Sequence, residues 1–177
     1  MSRLTTTIVF TLSLLAVQAA AFTNYKLPEL RQEYLAASND EDAAKDFYAK
    51  MEKYSGNHAV ILGYKAASEA VMAKYVWNPY FKMKHLKTAA GLFEEAIARD
   101  REEPEIRFLR FVVESHIPDY LNMSDNLEED KAIVIKNLVK HPESGINTEL
   151  ARMMRDFLVA KDRCTEQEKQ VLQKLKI

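Results

Sequence analysis

Two prolines set the register of this chain. Asn78-Pro79 and Pro104 each put proline where a helix tolerates it best, in the first turn, whose N–H has no intrahelical partner anyway. Asn78 adds a favoured N-cap, and Pro79 disfavours a helical backbone at the residue before it. One helix must therefore end near Val76 and another begin at Pro79, and Pro104 repeats the device. In the helix after Pro79, Met83, Leu86, Ala90, Phe93 and Ile97 recur at spacings of three and four, with Ala89, Gly91 and Ala96 beside them as small packing positions. Asp100 to Glu103 makes a polar turn. Beyond it Ile106, Leu109, Val113 and Tyr120 form a facing stripe that also carries His116. Residues 78–120 thus read as a helical hairpin on which the remainder is hung.

The same signals recur on either side. Pro28 fits the first turn of a short helix with Leu30, Tyr34 and Leu35. Asp40 to Tyr54 repeats Ala44, Phe47, Tyr48, Met51 and Tyr54 at helical spacing, and Ser55-Gly56-Asn57 ends it. From about His58 to Val76, Val60, Tyr64, Ala67, Val71 and Tyr75 form one apolar stripe. Pro118 stops the hairpin's second helix near His116 and leaves Asp119 to Met123 irregular. Ser124 or Asp125 is expected to cap the next helix, Asp125 having capping-box spacing to Glu128, with Leu127, Val134, Ile135 and Leu138 inside. Asn147 caps a helix with Leu150, Met153, Met154, Phe157 and Leu158. Thr165 and Glu168 form a capping box ahead of Val171, Leu172 and Leu175. With four Gly and five Pro among 177 residues and no strand pattern, the expectation is an all-α fold of seven to eight helices stacked as antiparallel hairpins.

Residues 1–21 are a separate unit. Arg3, the apolar run Ile8 to Val17 and the small residues Ala19-Ala20-Ala21 have the order of a secretory signal peptide, cleaved near Ala19 or Ala21. A permanent anchor wants about twenty apolar residues, more than this run offers. The expectation is a periplasmic or secreted protein with a single domain over 22–177 and no stable membrane anchor after cleavage. Cys164, the one cysteine, cannot form an internal disulfide, and its place at a helix start would make the thiol somewhat acidic. A formal charge of −1 gives no long-range field to draw in nucleic acid.

Catalytic motifs are missing from the sequence. His58, His85, His116 and His141 fall on separate elements with no ligand spacing, so no metal is expected. There is no phosphate-cradling glycine loop or nucleophile elbow, so no cofactor is expected. Glu128-Glu129-Asp130 reads as first-turn acids complementing a helix dipole. Arg107, Arg110 and Glu114 share a polar face opposite Ile106, Leu109 and Val113, which reads first as a solvated face with an intrahelical ion pair. As a binding surface, Arg107 and Arg110 would offer forked donors to a partner's carboxylate, with Arg152 and Arg155 adding charge from a later helix. Tyr75, Trp77, Tyr80 and Phe81 read as packing at a helix junction, or else as a partner patch containing Trp77 and Tyr80.

Ala89-x3-Phe93-x2-Ala96 followed by Asp100 and a polar turn into Pro104-Glu105 resembles one tetratricopeptide repeat running into the next, with Arg101 where that motif usually has proline. Over most of Ala59 to Leu138 the chain also resembles a family of uncharacterised exported proteins of Gram-negative bacteria. The resemblance rests on Asn78-Pro79, the run Glu105 to Arg110, Pro118 and the acidic run from Asn126 to Lys131. It implies an exported stack of helical hairpins and no chemistry. The function expected is therefore a non-enzymatic module that binds a protein or peptide. The rival expectation is a small-molecule pocket or enzyme site around Glu105, Arg107 and His116, with His116 otherwise a core residue.

Overall fold

The computed structural model describes residues 25–160 and 163–177, and among them every regular element is a helix. The expected leader at 1–21 lies outside the described residues. In chain order the helices are α1 (Leu27–Ala37), α2 (Glu41–Glu52), α3 (Ala59–Tyr75), α4 (Pro79–Arg99), α5 (Pro104–Glu114), α6 (Leu127–Val139), α7 (Thr148–Val159) and α8 (Glu166–Gln173). A single 3-10 turn, Asp119–Leu121, lies in the connector after α5. None of these helices is long and apolar enough to cross a membrane.

Local chemistry sets most of the ends. Asn78 Oδ1 accepts from the Tyr80 N–H at 2.9 Å and Pro79 follows as the first residue of α4. Glu103 caps α5 ahead of Pro104, Asp40 caps α2, Asn147 caps α7, and Thr165 with Glu168 closes a reciprocal box at α8. At α6 the expected cap at Ser124 or Asp125 is replaced by Asn126, whose own side chain does not cap. Its backbone N–H and side-chain amide instead donate to Glu114, at 3.0 and 2.8 Å, so the start of α6 is tied to the end of α5.

Two helices organise the packing. α3 is buried on nearly every side, which is the pattern of an interior helix and not of a surface one, and α1, α2, α4 and α5 all pack against it. α5 is buried along almost its whole length because it serves two cores. Ile106 and Leu109 join the cluster built from α1 to α4, while Phe108 and Phe111 join the cluster built from α6 to α8.

The expected α4–α5 hairpin is consequently thin. The buried positions of α4, namely Leu86, Ala89, Phe93 and Ala96, form one narrow stripe that serves α3, and α5 pairs chiefly with α6. Gly91 is not a packing position, since a Cβ there would meet nothing within 4 Å. The close approach occurs at Gly63 of α3, where a Cβ would lie 3.5 Å from both Ile106 and Leu109. Leu35, Tyr120 and Val171, expected inside, are exposed because their helix faces or connector have no neighbour to cover them.

Candidate functional site

The residues that looked most like a binding face are inside the protein. Arg107 and Arg110 are buried between α5 and α6, and Asp130, 0% exposed, lies between them. Arg110 makes a two-pronged contact, Nε to Asp130 Oδ2 at 2.6 Å and Nη2 to Oδ1 at 2.8 Å. Arg107 Nη1 donates to the same Oδ1 at 2.9 Å and to Glu129 at 2.9 Å, and its Nε donates to the Arg101 carbonyl. Glu114 is occupied by Asn126, with Arg110 4.0 Å away. Burial pushes the Glu114 carboxyl above its ordinary range, opposed by the Asn126 hydrogen bonds and by Arg110. The solvated-face and partner-surface readings of Arg107, Arg110 and Glu114 are both corrected by this: α6 covers that face. Asp130 is likewise no solvated dipole partner but the acceptor both arginines share.

The rival constellation does not converge. Glu105 faces the other core, where Arg31 grips it through two bonds at 2.8 and 2.7 Å and the Tyr64 hydroxyl donates at 2.7 Å. Burial beside that carboxylate raises the Tyr64 phenol well above its usual value. Arg107 faces α6. His116 is exposed at the end of α5, its Nδ1 2.7 Å from the Val112 carbonyl and its ring against Phe157, so it is neither a core residue nor a neighbour of Glu105. The outer rims of Arg107 and Arg110 reach a shallow groove of about 280 Å³ with Glu94, Ile97, Arg101 and Glu129. With Asp130 beneath it and two glutamates at its rim, that groove has no surplus positive charge for an anion.

Arg152 is exposed on α7. Arg155 binds Asp156 and the Ile177 carbonyl beside a groove of about 480 Å³ that Val159 and Gln173 also line, so it anchors the C-terminal segment. Neither shares a surface with the buried Arg107 and Arg110. Cys164 is buried, and burial raises its thiol, the opposite of the acidified thiol expected from a helix start. Among the described residues no cluster of three or more His, Cys, Asp or Glu is arranged to hold a metal.

What the fold leaves uncovered is the corner between α3 and α4. Trp77 is 97% exposed, Tyr80 73% and Phe81 49%, and the Tyr80 and Phe81 rings meet edge to face at 5.4 Å. The packing reading of this cluster holds only for Tyr75, whose hydroxyl reaches the Ala37 carbonyl. Just inside the corner His85 Nδ1 lies 2.6 Å from Glu69 Oε2, with Tyr48 edge-on to the imidazole, and this contact ties α4 to α3. Lys82, Lys84 and Lys87 on α4 are exposed and have no carboxylate partner among the described residues. The sequence carries a signal for this site that helical periodicity does not reveal: from Ala70 to Phe93 the chain has lysines at 74, 82, 84 and 87 and no acid at all, within a protein whose overall charge is −1.

Comparisons with protein-family models, with curated proteins and with solved structures gave no match.

Proposed function

We propose that this chain is an exported, non-catalytic helical module that binds a partner surface through the α3–α4 corner. The observation that carries the reading is the contiguous exposure of Trp77, Tyr80 and Phe81, three rings within five residues, where Leu35, Tyr120, Val139 and Val171 are exposed singly. Aromatic side chains supply much contact area for few rotatable bonds, and they concentrate where proteins bind. The charges that would suit chemistry are spent inside, Glu105 on Arg31 and Tyr64, and Arg107 and Arg110 on Asp130. Export belongs to this proposal on the strength of residues 3–21, and the likeness of the α4–α5 segment to tetratricopeptide repeats fits a scaffold that presents a surface.

Site-specific photocrosslinking in the native host tests the reading. A benzophenone side chain at Tyr80 should give discrete adducts, and the same group at Gln170, an exposed position on α8, should not. No adduct from position 80, or one pattern from both positions, overturns it.

A further inference from the structure

We infer that the partner surface is an anionic phospholipid interface, on which the α3–α4 corner docks peripherally. The inference rests on the reading of that corner as the binding site and adds the chemistry of what it meets. Trp77, Tyr80 and Phe81 are amphipathic or apolar rings without cover, of the kind that settle at the level of lipid headgroups. Tyr80, Lys84 and Lys87 follow one another at four and three residues along α4 and share its exposed face, and Lys82 projects beside the rings in the first turn. Rings and cations therefore approach a flat surface together, the rings entering the headgroup layer while the ammonium groups meet phosphates.

The charge arrangement argues for such a surface. Lys74 is taken up by the Ser38 carbonyl at 2.7 Å; of the acids nearest to that contact in the chain, Asp40 caps α2 through the Ala43 N–H, and Glu41 and Asp42 are paired with Lys45. Glu69 is taken up by His85. Lys82, Lys84 and Lys87 are without a counterion among the described residues. Because the whole chain carries a charge of −1, an anionic membrane attracts it through local patches, and this is the one where exposed cations lie beside exposed Trp77, Tyr80 and Phe81, which orients the molecule corner first. The attachment is peripheral, since no described helix can span a bilayer.

Trp77 is the only tryptophan, so its fluorescence reports the corner and not any other part of the full-length chain. Titration with vesicles of equal parts phosphatidylglycerol and phosphatidylcholine should shift its emission to the blue. Pure phosphatidylcholine vesicles should not, and raised salt should reverse the shift. Lys84→Ala and Lys87→Ala should each weaken vesicle binding about fivefold, the effect of about one unit of surface attraction per lysine. Phe81→Ser should weaken it roughly tenfold through lost apolar burial. All three substitutions are at exposed positions and should leave the thermal midpoint in place. No shift with the anionic vesicles, or an equal shift with neutral ones, overturns the lipid assignment. A shift on adding poly-glutamate but not vesicles overturns it in favour of an acidic protein and leaves the corner as the binding site. Loss of the Tyr80 crosslinks would instead remove the binding-site reading on which the assignment rests.

Discussion

Asp130→Ala probes the joint between the two cores. Asp130 has no exposed surface and accepts three hydrogen bonds, at 2.6 and 2.8 Å from Arg110 and at 2.9 Å from Arg107. Its removal takes the shared acceptor from two guanidinium groups that water scarcely reaches. Arg107 keeps Glu129 and the Arg101 carbonyl, whereas Arg110 keeps only Glu114 at 4.0 Å. Breaking one buried ion pair costs about 3–5 kcal/mol, and since only Arg110 is fully stranded the expected loss is about 4 kcal/mol and not twice that. Such a loss is a large share of a total stability of about 5–15 kcal/mol. At about 2–4 °C per kcal/mol for a chain of this length, the thermal midpoint should fall by about 8–16 °C.

Urea unfolding of Asp130→Ala measures this, and a second variant separates charge from packing. Replacing Arg107 and Arg110 with Met and Asp130 with Leu removes the three buried charges together and leaves Glu114 on Asn126 and Glu129 to water; apolar replacement of such sets is often neutral, so stability should return to within about 1 kcal/mol of the parent. A loss below about 1 kcal/mol in Asp130→Ala would refute the reasoning, because it would mean that water already solvates the arginines.

Gly91→Ala should stabilise the protein by about 1 kcal/mol in the same urea assay, since Gly91 is in mid-helix with open space where the Cβ would go. A loss there would show that something covers the outer face of α4. Acid should loosen α8 first. Partial burial raises the Glu168 carboxyl, but the Thr165 N–H and hydroxyl together with Lys131 outweigh it and hold the group below 4.5. Stabilisation from a lowered carboxyl is present above 4.5 and disappears as pH falls through the lowered value, so α8 amides should exchange with solvent at acid pH before those of α3. Simultaneous exchange of the two helices across that range would contradict this.

The helices were legible because their ends are written in local chemistry. Asn78-Pro79, Pro104, Asn147 and the Thr165–Glu168 box act over one turn of chain, and the structure begins α4, α5, α7 and α8 at these signals. The start of α6 departs from the expected Ser124 or Asp125 because the Asn126 N–H donates to Glu114, a residue on another helix that no local pattern supplies. The burial of the α5 charges departs from expectation for a related reason. Ile106, Phe108, Leu109, Phe111, Val112 and Val113 leave only a narrow sector for Arg107, Arg110 and Glu114, and a helix with so little polar circumference is flanked by two neighbours and not by one. Counting the apolar circumference, and not just one stripe, would have put those charges inside.

Burial and pairing together separate the structural charges from the available ones. The conspicuous run from Glu105 to Arg110 carries charges paired with Arg31, Tyr64, Glu129 and Asp130, and a charge so paired has little left to offer a ligand. Lys82, Lys84 and Lys87 of α4 have no such partners among the described residues. Their corner is nonetheless held firmly at its base, by Lys74 and Tyr75 on the end of α1, by His85 on Glu69, and by Asn78 capping its own helix. Exposure of Trp77 is therefore not the looseness of a long loop, since only Val76 to Asn78 separates α3 from α4. A tip fixed in this way would bind with less ordering of its own backbone, which lowers the cost of a contact made by only a few rings and three cations. That holds for a lipid interface, where the surface is fluid and the protein must supply the fixed geometry.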